Sequence, residues 1–253
     1  MSELGDTEAE DEGESPPVVA VGDAQIGTAL ADGAVVAVPA VGGYCLAVQM
    51  GTPGAESRLE VLAADPDGPH YAVGNRDDVR ALTSGWTDEI ERLLERCWPG
   101  PVDVFLPRAS TGLTGEVPVV RADGAGEPGE EDEPRTGEVR VEPEDADASG
   151  WAVTVGMPEG RALRRLCKEH GPWRTIPLTY NEAAQVANAF DVSDVALVVD
   201  GGRRDGETPT LVDATVSPVR VLREGALPSN FIDATMAMGG RKRFFGRSRS
   251  KEG

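Results

Sequence analysis

The sequence predicts an α/β domain, of the α+β-like kind, in which helices flank a twisted mixed sheet. Short apolar segments of strand length alternate with segments of about ten residues whose apolar side chains recur at helical spacing. A length of 253 residues allows one substantial core, and a hydrophobic content of 40% is that of a globular protein. No apolar run reaches the roughly 20 residues that cross a bilayer, so we expect no membrane span.

The first expected helix is capped by Asp23 and ends at Gly33. A buried strand at 34–39 and then a loop follow it, and another strand is expected near 58–64. The next helix starts at Thr87 and carries apolar side chains at helical spacing on one face, which is expected to pack against the sheet. These side chains are Trp86, Ile90, Leu93, Leu94 and Cys97.

A rigid corner at 98–101, of sequence Trp-Pro-Gly-Pro, separates this helix from a strand at 102–106. Proline cannot continue a helix and restricts the residue before it, so the corner ends the helix at Cys97 and directs the chain into the strand. Trp98 is expected to pack against the fold. We therefore interpret the corner as architectural rather than as a site in its own right.

The C-terminal part continues the alternation of strands and helices. One helix turns Leu163, Leu166 and Cys167 inward and stops at Gly171. A second helix is expected at about 182–190. The expected strands lie at 151–155, 195–200 and 219–224.

The formal net charge of −20 is concentrated in three segments. Residues 1–17 contain seven acids and no base and are expected to form a disordered acidic tail. An acidic low-complexity insertion at about 109–150 contains twelve acids and three arginines; we interpret it as disordered, and a long hairpin loop is the alternative. Residues 231–253 are expected to form a basic tail, whose last thirteen residues contain six bases and one acid. One domain is therefore predicted at 18–230.

Charge and cysteine content argue against several classes of function. Outside residues 1–17, 109–150 and 241–253 the chain carries 24 acids and 15 bases, which disfavours nucleic-acid binding by the body of the protein. The basic tail is expected to fold over the chain's own acidic segments or to contact RNA, a membrane surface or an acidic partner weakly. Three widely spaced cysteines and two histidines predict neither a disulfide framework nor a metal site, and they indicate the reducing cytoplasm.

Common catalytic motifs are missing from the sequence. It contains no G-x-G-x-x-G after a strand, no P-loop and no G-x-S-x-G elbow. His70 and His170 have no serine or cysteine nucleophile at a recognisable offset, so both are expected to be ordinary surface or helix-end histidines. Cys45, Cys97 and Cys167 are expected to be buried small hydrophobes. The residues therefore assign no catalytic group.

Four segments carry short motifs in a recognisable order, at 34–47, 98–101, 195–215 and 219–227. Together they resemble the YrdC-like threonylcarbamoyl-AMP synthase family over most of 18–230 except the insertion. The resemblance implies a single YrdC-like domain. Members of the family convert ATP, threonine and bicarbonate to threonylcarbamoyl adenylate, a nucleotidyltransferase reaction that serves the threonylcarbamoyl modification of tRNA adenosine. These three small molecules, with Mg²⁺ accompanying ATP, are therefore the ligands that the resemblance implies.

The resemblance also implies nucleotide- or substrate-binding roles for Tyr44, Arg76, Thr210 and Arg223. Each residue has a structural alternative. Tyr44 is equally well explained as a buried ring with a satisfied hydroxyl, and Thr210 as part of a plain strand and turn. Surface ion pairs are the alternative for Arg76 and Arg223.

Six positions depart from the family pattern where its chemistry lies. Ala40 and Asp103 stand at threonines, Pro177 and Pro209 at serines, Gly74 at a lysine and Gly156 at an arginine. Adenylate formation needs cations that hold the triphosphate and stabilise the leaving pyrophosphate, and Arg174, Arg203 and Arg204 are the candidates to replace them. We expect a threonylcarbamoyl-AMP synthase-like protein with altered or weakened activity. The alternative is a non-catalytic relative that binds a nucleotide or small molecule, or serves as a scaffold.

Overall fold

The computed structural model describes residues 13–64, 68–109 and 152–237. Its helices are α1 (Ala24–Ala31), α2 (Ala55–Leu62), α3 (Arg76–Leu82), α4 (Asp88–Cys97), α5 (Arg161–His170), α6 (Ala183–Ala189) and α7 (Ser229–Ala237). Its strands are β1 (Val18–Ala20), β2 (Val36–Ala40), β3 (Gly43–Gln49), β4 (His70–Ala72), β5 (Val102–Pro107), β6 (Ala152–Gly156), β7 (Trp173–Pro177), β8 (Leu197–Asp200), β9 (Thr210–Asp213) and β10 (Arg220–Arg223). Among these residues, no helix has both the length and the apolarity that a membrane crossing requires.

The described strands form one ten-stranded sheet in the order β1-β8-β2-β3-β7-β4-β6-β5-β9-β10. The pairs β1–β8, β8–β2, β4–β6 and β5–β9 are parallel, and the other pairs are antiparallel. The sheet is therefore mixed, and with its flanking helices it forms a single α/β domain, which confirms the predicted fold class.

Capping side chains account for the predicted starts of α1 and α4. The Asp23 carboxylate accepts a hydrogen bond from the backbone N–H of Gln25 at 2.9 Å and so caps α1. The Thr87 hydroxyl likewise accepts from the N–H of Ile90 at 3.3 Å and caps α4. The face of α4 that was predicted to pack is buried at Ile90, Leu93, Leu94 and Cys97.

The two faces of the sheet are covered unequally. On one face, α2 and α6 pack over one half of the sheet, and α3, α4 and α7 pack over the other half. On the opposite face, α1 and α5 pack through Ile26, Leu30, Leu163, Leu166 and Cys167 against β2, β3, β8 and Trp173 of β7. The described helices therefore leave the rest of this second face, over β4, β6, β5 and β9, open to form a cleft.

The strand predicted near 58–64 is wrong, because this segment lies mostly in α2 and ends just beyond it. Ala55 and Leu59, one helical turn apart, are fully buried, whereas Val61 is 86% exposed. An apolar residue on the solvent side of a helix thus gave the segment the composition of a strand.

The loop predicted after 34–39 is also wrong for most of its length, because residues 43–49 form β3 and pair with β2. Gly42 makes this hairpin turn with a φ of 75°, in the left-handed region that favours glycine. The other predicted helices and strands are present. The structure adds β1, β4, α3, β7 and α7, for which the sequence analysis gave no element.

The packed fold extends beyond the predicted limits of 18 and 230. The carbonyl of Glu14 accepts a hydrogen bond from the N–H of Val192, and that of Pro17 accepts from the N–H of Val198. At the other end, Ile232 of α7 is 1% exposed and belongs to the core. Disorder was predicted for the acidic tail and the acidic insertion, but residues 1–12 and nearly all of the insertion lie outside the described residues. The part of the predicted basic tail from residue 238 onward also lies outside them.

Candidate functional site

The cleft consists of two adjoining cavities, of about 300 Å³ and about 80 Å³. Residues directly paired across neighbouring strands share a sheet face, so the pairing of His70 with Thr154 and Thr175 places these side chains on one surface. Asp103 and Leu211 are paired in the same way and continue this surface, which is the cleft floor. Both cavities are lined by Ala40, Val41, Cys45, His70, Asp103 and Pro209.

An imidazole and a carboxylate meet on the floor of the cleft. The Nε2 of His70 lies 3.5 Å from Oδ2 of Asp103. Asp103 is 8% exposed, so its carboxylate is largely removed from water. The prediction that His70 is an ordinary surface histidine is therefore wrong. No sequence signal links these two residues, because they come together only through the pairing of β4, β6 and β5.

Gly156 makes room for this pair. A Cβ atom at position 156 would lie 2.2 Å from Oδ1 of Asp103 and 3.4 Å from Nε2 of His70. The arginine of the family pattern therefore cannot enter at 156 while Asp103 keeps this orientation. The Asp103 carboxylate therefore occupies space that a side chain at position 156 would need.

The pKa of the Cys45 thiol reflects the burial and the negative charge of the cleft floor. Burial raises the pKa of the Cys45 thiol to about 12, and the nearby Asp103 carboxylate adds to the increase. The thiol is therefore protonated at neutral pH and is a poor nucleophile. The described cleft offers a carboxylate and an imidazole rather than an activated cysteine.

Tyr44 lines the larger cavity, and its hydroxyl is bonded to the backbone. Its ring is 1% exposed, and its hydroxyl donates to the carbonyl of Gly202 at 3.0 Å and accepts from the N–H of Gly201 at 3.1 Å. These bonds fix the turn that follows β8. The described contacts of the Tyr44 hydroxyl thus match the alternative of a buried ring with a satisfied hydroxyl.

Thr210 is also held in the interior. It is fully buried, and its hydroxyl donates to the carbonyl of Leu227 at 2.6 Å. The same hydroxyl accepts from the N–H groups of Gly225 at 3.1 Å and Leu227 at 3.0 Å. All of its hydrogen-bonding capacity is used to hold the turn after β10.

Gly74 and Arg76 lie away from the cleft lining. A Cβ atom at 74 would lie 2.4 Å from the backbone nitrogen of Lys168, so the close approach of α5 leaves no space for a lysine. The Arg76 side chain, on α3, lies 3.5 Å from Glu95 of α4. Both observations agree with a structural role for this segment.

The remaining predicted positions contribute to the cleft. Arg223, Pro177 and Pro209 line the larger cavity, and Gly156 and Pro209 line the smaller one. Ala40 lines both. The prolines and alanine replace hydroxyl-bearing residues of the family pattern, so these walls are less polar than the pattern requires.

The three arginines proposed as replacements have different environments. Arg174 is 3% exposed and donates to the carbonyls of Thr175 and His70, on the sheet face opposite the cleft. Arg203 is exposed and forms ion pairs with Glu182 and Asp205. Arg204 lines the smaller cavity, and its buried Nε has no hydrogen-bond partner among the described residues. Arg204 is therefore the best placed of the three to contact a ligand.

The described cleft fits a magnesium-bound triphosphate poorly. Arg204 and Arg223 are cations of its lining, but Asp103 occupies the floor common to both cavities. No group of three or more His, Cys, Asp or Glu residues that could hold a metal ion occurs in the described part of the chain.

Residues 28–122 match the family model Sua5_yciO_yrdC, described as "Telomere recombination". Solved structures agree: Sua5 from P. abyssi, in a doubly substituted form, has a TM-score of 0.65 and 21% identity. The chain has a YrdC-like fold. A second P. abyssi Sua5 structure, complexed with L-threonine, has a TM-score of 0.62 and 21% identity, and E. coli YciO has 0.59 and 18%.

Coverage limits what these similarities say about this chain. The matches cover 87%, 83% and 79% of this chain for the two Sua5 structures and YciO, respectively. They cover 60% and 56% of the two Sua5 chains but 87% of YciO, so the chain spans somewhat over half the length of Sua5. Among curated proteins, no sequence matches the chain significantly. At these identities the structures establish the fold alone.

Proposed function

We propose that this chain is a threonylcarbamoyl-AMP synthase-like protein whose cleft binds a small molecule but supports little or no adenylate formation from ATP. The observation that carries the proposal is the Asp103–His70 pair on the cleft floor, 3.5 Å apart. Asp103 of this pair and the adjoining Gly156 lie at the two positions where the family pattern has threonine and arginine.

The electrostatic argument is direct. Transfer of an adenylyl group requires stabilisation of the negative charge that develops on pyrophosphate. Each lost charge-assisted contact costs about 1.5–3 kcal/mol, and a carboxylate close to the phosphates adds repulsion in a cleft of low dielectric constant. The loss of several such contacts lowers turnover by orders of magnitude.

The alternative is an active synthase that has rebuilt its phosphate contacts. Arg204 supports this alternative, because it lines the cleft and its buried Nε has no hydrogen-bond partner among the described residues. In that case ATP with Mg²⁺, threonine and bicarbonate are the substrates, and the product serves tRNA modification. One related structure, P. abyssi Sua5, is a complex with L-threonine, and threonine binding by this chain is part of the alternative.

Location and macromolecular partners belong to the same proposal. The three cysteines are unpaired and buried, which suits a reducing compartment such as the cytoplasm. A weak contact of the basic C-terminal residues with RNA or an acidic partner remains our expectation from their charge.

The test is pyrophosphate release from ATP by the purified full-length chain, with and without threonine and bicarbonate. We expect no release above the background of the assay, whereas a family member with the complete motif pattern, assayed beside it, turns over. Release comparable to that member would contradict the proposal. The variant R204A, compared with its exposed neighbour R203A, then shows whether Arg204 supplies the replacement cation.

A further inference from the structure

We propose that Asp103 is the recognition residue for a positively charged nitrogen group, such as the ammonium of a small organic amine, bound on the cleft floor. The inference rests on the proposed function, because the ligand occupies the same cleft. It goes further by assigning the chemical class of the ligand and the residue that selects it.

The first argument is the unmet hydrogen-bonding capacity of the Asp103 carboxylate. An ionised carboxylate has about four lone-pair sites, and one removed from water needs partners for them. Among the described residues, its side chain accepts no hydrogen bond, and its contact is the imidazole of His70 at 3.5 Å. This distance exceeds the roughly 2.7–2.9 Å of a charge-assisted hydrogen bond, so most of the accepting capacity is available to a ligand.

The second argument is the position and surroundings of this carboxylate. Asp103 is 8% exposed, yet it lines both cavities of the cleft. The neighbouring walls include the apolar residues Ala40, Pro209 and Leu211. Apolar walls lower the local dielectric constant and strengthen the attraction between a bound cation and the carboxylate.

The third argument is space. A Cβ atom at Gly156 would lie 2.2 Å from Oδ1 of Asp103, so a larger residue here would displace the carboxylate or bury it. With glycine at 156, the carboxylate borders cavities of about 300 Å³ and about 80 Å³. The larger cavity accommodates a small ligand.

The charged and titratable groups around Asp103 come from five parts of the cleft lining. They are Tyr44 and Cys45 on β3, His70 on β4, Glu159 in the segment after β6, Arg204 in the segment after β8, and Arg223 on β10. Each arginine lines only one of the two cavities, whereas Asp103 lines both. Cys45 is a neutral thiol, because burial raises its pKa to about 12 and Asp103 adds to the increase.

His70 makes binding of the cation dependent on pH. A protonated imidazole 3.5 Å from the Asp103 carboxylate forms an ion pair with it and competes with the ligand. A bound cation in turn disfavours protonation of His70, by linkage. Affinity for the cation therefore rises as the pH increases through the titration of His70.

The experiment is an NMR titration of the full-length chain with n-butylammonium, using butan-1-ol as a neutral probe of similar size. The chain has two histidines, so the variant H170Q assigns the His70 ring signal. We expect n-butylammonium to cause a saturable shift of the His70 ring signal, with a dissociation constant of about 1–10 mM. We also expect the midpoint of the His70 titration to move to lower pH. Butan-1-ol should cause no saturable shift.

Two variants make the outcome specific. D103N keeps the side-chain shape and removes its charge, so we expect butylammonium affinity to fall about tenfold. D194N removes one charge from an exposed residue outside the cleft lining and should leave affinity unchanged. Absence of a saturable shift, an equal response to butan-1-ol, or equal affinity of D103N and the wild type would overturn the proposal. Because this readout is independent of turnover, its failure is distinct from that of the proposed function.

Discussion

At the scale of single residues, Thr210 shows how a family position can be kept for structure. The family pattern implies a ligand contact here, but the described hydroxyl makes three hydrogen bonds to the backbone of Gly225 and Leu227. Gly74 gives the complementary case, in which a family lysine is replaced because α5 passes too close. A motif residue can thus persist or disappear for reasons of packing.

We predict that T210V destabilises the protein by about 2–4 kcal/mol. Valine has a similar shape but leaves two part-buried N–H groups and a carbonyl without their partner. T210S keeps the hydroxyl and should cost only about 1 kcal/mol for the lost methyl group. Urea unfolding of the two variants measures the difference. Equal losses for T210V and T210S would show that the hydroxyl contributes little.

At the scale of elements, the corner at 98–101 joins α4 to β5 through its own contacts. The indole N–H of Trp98 donates to the carbonyl of Val102 at 2.6 Å, and the N–H of Val102 donates to the carbonyl of Gly100 at 2.8 Å. Trp98 is 8% exposed and belongs to the core. The corner therefore positions Asp103, the residue after Val102, at the start of the cleft floor.

The variant W98F should lose about 1–3 kcal/mol more stability than W173F. Both changes replace an indole with a phenyl ring at a buried position, but only the first breaks a hydrogen bond, leaving the Val102 carbonyl without its Trp98 donor. The indole N–H of Trp173 has no hydrogen-bond partner among the described residues, so removing it leaves no acceptor without its donor. Denaturant unfolding monitored by circular dichroism compares the two. An equal or larger loss in W173F would contradict this role of the corner.

Many of the helices and strands could be predicted because they depend on the residues within them and at their ends. The caps Asp23 and Thr87 and the apolar face of α4 predicted two helices that the structure contains. Segments in which local composition and tertiary environment disagree could not be predicted. In α2, exposed Val61 gave a strand-like composition, and β3 was hidden because its strand character comes from pairing with β2 and β7.

At the scale of the whole molecule, the cleft is a product of sheet topology. The ten-strand order brings His70 of β4 and Asp103 of β5 onto one face through the intervening β6, and α1 and α5 leave that part of the face open. The resemblance to the family located several lining positions, including Ala40, Asp103 and Pro209. It could not reveal His70, because register and strand order decide which side chains share a face.

The central claim is that the negative charge of Asp103 makes this YrdC-like cleft unsuitable for binding phosphate groups. The most direct test is calorimetric titration of the wild type and D103T with Mg²⁺ and ATP, with D194N as the control for net charge. We predict that D103T, which restores the residue of the family pattern, binds the nucleotide about tenfold more tightly than the wild type, while D194N does not. If D103T, with unchanged thermal stability, binds ATP no more tightly than the wild type, the claim is contradicted.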